Sequence, residues 1–236
     1  MITIIAVSAS LIAVGLILTG FFIYGKLTGY SMKTVFVKTA ASLCFVALSI
    51  FLFIAKGYPA MGIYIMVGAI FGMLGDVALG LKRPFKNKVK LFTLLGCILF
   101  ALGHIAYMTG LFINFYISGH VWAIIVPVAV SVAFGASTFL LEKLLKVQFG
   151  NLRPLAITYF TLLSSVGTTA LCLNIVYRFQ SNFLIMMLVG GVLFAASDLI
   201  LSRTYFGKEV RKVDLISTTI CYYVAQFIIV FSLFFL

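Results

Sequence analysis

The stretch GMLGDVALG, residues 72–80, places one acid, Asp76, directly after a run, IYIMVGAIF (63–71), that carries no charge. A charge at membrane depth costs roughly 2.5–3.5 kcal/mol on insertion scales. A chain that keeps a carboxylate there must compensate it or use it. The surrounding sequence has the same character: 236 residues, 64% hydrophobic, 9% charged, with a mean hydropathy of +1.23. A soluble domain needs far more polar surface. The expected class is therefore an all-α, polytopic membrane protein.

A span needs about 20 apolar residues. Eight segments qualify: 2–24, 34–55, 60–80, 91–112, 120–141, 155–176, 182–201 and 214–236. No long polar segment separates them, so residues 1–236 are expected to form a single transmembrane domain. The N-terminal MITIIAVSAS lacks a basic flank and reads as a first span rather than a cleaved signal. Of the 17 Lys and Arg residues, all but Lys56 and Arg178 fall in or beside the first, third, fifth and seventh loops. That asymmetry predicts that the odd-numbered loops are cytoplasmic and both termini lie outside the cell membrane. The net charge of +12 thus reads as a topology signal, with attraction to membrane lipids as a consequence and no role for nucleic acid.

The stretch around Asp76 recurs. VGAIFGMLGDVAL (67–79) aligns without a gap to VGGVLFAASDLIL (189–201), matching Val, Gly, Asp and Leu. Asp76 and Asp198 then lie four spans apart, on parallel helices at similar depth. Two parallel four-helix repeats are expected, with halves near 1–112 and 120–236. Gly68, Gly72, Asp76 and Gly80 recur every four residues and form a smooth stripe for a close helix neighbour. Gly190, Phe194, Asp198 and Ser202 line the matching face, and Gly96, Gly103 and Gly110 recur every seven in the fourth span.

Two adjacent carboxyl groups cannot both ionise cheaply, so one keeps its proton beside a charged neighbour. This is a general acid next to a general base, as in aspartic proteases and glycosidases. Asp76 and Asp198 are the catalytic candidates. Lys38 lies about one turn inside the second span and Tyr159 one turn inside the sixth, with Arg153 at its mouth. A lipid phosphate is expected to meet Lys38 or Arg153. Ser197 adjoins Asp198, while His104 and Tyr107 lie deeper, His104 roughly 20 Å into the fourth span. His120 reads as solvated, Asp214 as a helix N-cap, and Glu142 and Glu209 as loop charges. Cys44, Cys97, Cys172 and Cys221 lack metal-ligand spacing and read as buried hydrophobes. No metal or other cofactor is expected.

GDVAL (75–79) and SDLIL (197–201), with GHIAY (103–107) between them and a lysine early in the second span, resemble the YhhN-like family of polytopic membrane proteins, which includes lysoplasmalogenases. The resemblance implies hydrolysis of the vinyl ether bond of a lysolipid substrate. The products would be a fatty aldehyde and a glycerophospho-ethanolamine or -choline, with Asp76 and Asp198 as acid and base. Substrate contacts are expected from Lys38, His104, Tyr107, Tyr159 and Ser197. The sequence sets no oligomeric state. Two other classes stay open. An intramembrane aspartyl protease also uses two aspartates, but its Gly-x-Gly-Asp signature is absent. A proton-coupled lipid or small-molecule transporter would use the same residues.

Overall fold

The computed structural model describes residues 1–207 and 210–236, and the chain is helical throughout them. Helices α1 (Ile2–Thr28), α2 (Met32–Ala55), α3 (Ala60–Leu81) and α4 (Val89–Phe115) are followed by α5 (Trp122–Ala136) and α6 (Thr138–Leu145). Then come α7 (Arg153–Val176), α8 (Asn182–Phe206) and α9 (Lys212–Phe231). Seven of them, α1–α4 and α7–α9, are long and apolar enough to cross a membrane.

The expected fifth span, 120–141, is divided. Its two parts, α5 and α6, are bent by 51° at Ser137. Pro127 lies inside α5, ten residues before the break. The break instead falls where the Ser137 hydroxyl donates to the carbonyl of Phe134 at 2.7 Å and Thr138 donates to that of Gly135. Hydroxyls that occupy carbonyls three residues back compete with the helical ladder and bend it.

Each helix packs on the next in two series: α1 on α2, α2 on α3, α3 on α4; then α5 on α7, α7 on α8, α8 on α9. Helix α4 meets α7, and α9 closes the bundle against α1, α2 and α3. Glycines set the closest crossings. A Cβ at Gly103 would stand 3.1 Å from the carbonyl oxygen of Gly68, and one at Gly191 would stand 2.9 Å from the amide nitrogen of Gly167. The stripe on α3 therefore serves three neighbours: Gly68 faces Tyr107 of α4, Gly72 faces Gln226 of α9, and Gly80 faces Val35 of α2.

Polar side chains point inward. Ser42, Asp76, Asn174, Asp198 and Gln226 are buried, while Ile17, Phe21, Phe36 and Ile125 are exposed. That is the distribution of a bundle surrounded by lipid. Two expectations for acids need correction. Helix α9 begins at Lys212, so Arg211 holds the cap position; Asp214 lies in the first turn, 3.8 Å from the Arg203 guanidinium. Glu142 belongs to α6, not a loop, and holds the backbone N–H of Phe149 at 2.9 Å and Arg153 at 2.7 Å. Glu209 lies outside the described residues.

Candidate active site

Asp76 lies five residues before the end of α3, about 7.5 Å along its axis. The stripe of small residues turns it inward, leaving it 2% exposed. Three donors from two other helices converge on it. The Lys38 ammonium of α2 sits 2.8 Å from Oδ1. The hydroxyls of Ser42 (α2) and Tyr222 (α9) donate to Oδ2 at 2.5 and 2.7 Å. Lys38 also donates to the backbone carbonyl of Asp76 at 3.1 Å. Around this pair Tyr223 donates to the Lys38 carbonyl at 3.1 Å, and Ser42 and Tyr223 hydroxyls lie 3.1 Å apart. Tyr107 donates to Gln226 at 3.1 Å, and Gln226 reaches the Tyr222 hydroxyl at 3.5 Å.

Asp198 has a different set of partners. Tyr159 of α7 donates to its Oδ2, and the Ser197 hydroxyl lies 3.3 Å from Oδ1. Among the described residues no cation pairs with it. An ammonium can only donate, so Lys38 requires Asp76 to accept. A hydroxyl donates or accepts, so the partners of Asp198 suit either the acid or the carboxylate. In each case the helix preceding the aspartate in the chain supplies the nearest partner: α2 for Asp76, α7 for Asp198.

Both aspartates line one cavity of about 140 Å³. No hydrogen bond joins the two carboxyl groups among the described residues. Lys38 and Tyr159 line the same cavity, as do Tyr222, Tyr223 and Cys97. Its outer wall comes from the ends of α1, α3 and α8, from Phe149 and Leu152 before α7, and from the start of α9. These are the ends beside the basic loops.

Not every expected residue joins it. His104 is buried outside the cavity lining, its ring 4.7 Å from that of Phe194, and neither ring nitrogen has a partner. Tyr107 also lies outside the lining and reaches Tyr222 only through Gln226. Ser197 touches the site through Asp198. Arg153 is away from the lining and holds Glu142, and Lys38 is turned to Asp76, so neither lies free to receive a phosphate. Sequence reasoning missed Ser42, Tyr222, Tyr223 and Gln226. A signal was present for Tyr222 and Gln226, polar groups four residues apart inside the last apolar segment.

A lipid-facing helical bundle that holds two carboxyl groups in a cavity open at one end defines a multi-pass membrane protein with an internal acid site. The chain belongs to the YhhN family, whose sequence pattern matches residues 33–233. Comparisons with curated proteins and with solved structures give no match.

Proposed function

We propose that this protein hydrolyses the vinyl ether bond of a lysoplasmalogen, releasing a fatty aldehyde and a glycerophospho-ethanolamine or -choline. The observation that carries the reading is the convergence of Asp76 and Asp198, from two repeated motifs, on one cavity. Asp198 is assigned the proton. It protonates the β-carbon of the vinyl ether, and the charge develops on the adjacent carbon and ether oxygen. The Asp76 carboxylate, fixed by Lys38, Ser42 and Tyr222, faces that cation and accepts a proton from the attacking water. The hemiacetal then collapses: Asp76 returns its proton to the glycerol oxygen as that C–O bond breaks, and Asp198 takes the hydroxyl proton as the aldehyde forms, which restores both groups. Tyr159 holds Asp198 in place. Acid–base assistance of this type contributes roughly 10²–10⁴-fold.

The topology that accompanies this reading counts the bent α5–α6 pair as one crossing, giving eight. The basic loops are then cytoplasmic and both termini lie outside. The matched packing order of the two helix series supports a pair of parallel repeats. Transport is the less favoured use of the site: α3 and α8 run unbroken through their aspartates, whereas transporter sites typically sit at interrupted helices.

The test is aldehyde release from a lysoplasmalogen by purified protein, with Asp76→Asn and Asp198→Asn beside it. Aldehyde from the wild type and at least about a hundredfold loss in each variant is expected. Full activity in either variant, or no aldehyde from folded wild type, would overturn the reading.

A further inference from the structure

Three cations stand at the outer wall of the cavity and take no part in the carboxylate chemistry: Lys26 at the end of α1, and Lys82 and Arg83 just beyond α3. None is in an ion pair among the described residues. The described acids are engaged elsewhere: Asp76 with Lys38, Glu142 with Arg153, Asp214 with Arg203, and Asp198 with hydroxyls. Each cation rests on neutral groups. Lys26 donates to the Thr219 hydroxyl at 2.8 Å and to the Leu215 carbonyl at 3.3 Å. Lys82 lies over the Tyr205 ring, 3.0 Å from its centre, and Arg83 over the Tyr30 ring at 4.9 Å.

Holding like charges together on a partly desolvated wall is unfavourable until an anion joins them. Lys82 registers this: burial first, then the charges of Arg83 and Lys38, push its ammonium down to about 7. Between the cations and the aspartates the lining includes the apolar side chains of Leu79 on α3 and Leu201 on α8. An anionic head with a hydrocarbon chain fits that order of surfaces.

The spacing along α3 fits a lipid phosphate. Lys82 lies six residues beyond Asp76, about 9 Å along α3. In a 1-alkenyl glycerophospholipid, seven bonds separate the phosphorus from the vinyl β-carbon, about 8 Å in an extended chain. We propose that Lys82 and Arg83, with Lys26, bind the phosphate of a single-chain glycerophospholipid and so set its vinyl ether level with the aspartates. This rests on the hydrolase reading for the location of the reacting bond, but its binding test does not need turnover. A guanidinium matches two phosphate oxygens at once, which assigns Arg83 the larger share.

The test uses full-length protein in maltoside micelles, which supply no phosphate. The probe is radiolabelled 1-O-hexadecyl-glycero-3-phosphocholine, an alkyl ether that the proposed reaction does not cleave. The competitors are 1-O-hexadecylglycerol and inorganic phosphate. Hexadecylglycerol is expected to compete at least about tenfold more weakly than unlabelled phosphocholine probe, the effect of one charge-assisted hydrogen bond. Lys82→Met and Arg83→Met should each shrink that preference, Arg83→Lys should retain part of it, and Arg153→Gln should leave it unchanged. Equal competition by hexadecylglycerol, or an unchanged preference in the Met variants, overturns the proposal. Displacement by inorganic phosphate as effective as by the lipid also overturns it, in favour of a free-phosphate site. A clear lipid-phosphate preference in a protein that releases no aldehyde supports this site and overturns the hydrolase.

Discussion

Replacing Lys38 with methionine removes one ammonium and leaves most of its stem. The side chain is 11% exposed, its partner Asp76 is 2% exposed, and their charged atoms are 2.8 Å apart. Removing one member of a buried pair costs about 3–5 kcal/mol, because the other charge is left without compensation. Two features pull this case toward the lower end. Asp76 keeps the hydroxyls of Ser42 and Tyr222, each worth roughly 1.5–3 kcal/mol to a charged acceptor. It also lines a cavity, from which water can approach. Lys38→Met is therefore expected to destabilise by about 3 kcal/mol. Asp76→Asn leaves the ammonium with neutral acceptors and costs a comparable amount. The double variant removes both charges, keeps the hydroxyl contacts, and is expected to lose about 2 kcal/mol less than the sum of the single losses. Unfolding of the purified protein by SDS in mixed micelles, followed by circular dichroism, measures the cycle. Additivity within about 0.5 kcal/mol would refute the reasoning, because it would mean that the two charges are not compensating one another.

Tyr159→Phe removes the hydroxyl that Asp198 accepts and is expected to lower aldehyde release by about tenfold while destabilising the fold by only about 1 kcal/mol, since Asp198 lines the cavity and water can replace the lost donor. Gly191→Ala directs a Cβ at the backbone of Gly167, which cannot yield, and should cost about 1–3 kcal/mol; Gly20→Ala meets nothing within 4 Å and should be neutral or slightly stabilising in the same assay. Phosphocholine binding should be flat below pH 7 and weaken toward pH 9. Lys82 loses its proton near 7 and must regain it to meet the anion, with Arg83, Lys38, Lys26 and Cys97 as the neighbouring titratable groups; Lys82→Met should weaken this dependence, with Lys26, the second ammonium at the site, carrying the remainder. A cysteine placed at Lys88 should react with an impermeant reagent only from the cytoplasmic face and one at Gly119 only from outside. The reverse pattern would invert the topology.

The long spans were legible because lipid imposes one simple demand, an unbroken apolar length, and hydropathy reads that demand directly. The break at Ser137 was not, because the segment 120–141 is apolar across it. At the break two adjacent hydroxyls, Ser137 and Thr138, both turn to carbonyls three residues back, a local pattern that hydropathy does not register. The aspartates were found by a different route. Position along a repeated helix fixes depth, and a stripe of small residues fixes the face, so Asp76 and Asp198 could be placed without knowing any neighbour. Lys38 needed a neighbour. Its sequence position fits a side chain that reaches out to the interface equally well, and only Asp76 across the helix boundary turns it inward. Tyr222 and Gln226 mark one polar face of α9 in the sequence, but what that face meets was hidden, because α9 packs at the centre of the bundle, against α1, α2, α3 and α8, and that placement has no local signature.

What the repeated motif supplies is two acids at matching positions, and the motif alone does not say which of them keeps the proton. The difference comes from outside the motif. The helix before Asp76 contributes an ammonium, whereas the helix before Asp198 contributes a phenol. A donor that cannot accept commits Asp76 to the carboxylate. A hydroxyl leaves Asp198 able to hold a proton or give it up. On the hydrolase reading, divergence at those two positions turns a symmetric scaffold into an ordered acid and base. Exchanging the partners makes that dependence measurable. Lys38→Met together with Tyr159→Lys should cost the fold little more than Lys38→Met alone, because Asp198 gains the cation that Asp76 loses. It should nonetheless lower aldehyde release sharply, because Asp76, left with the hydroxyls of Ser42 and Tyr222, now holds the proton, and acid and base have exchanged places relative to the bond. Retained release in that variant would show that the division of roles does not depend on these two side chains.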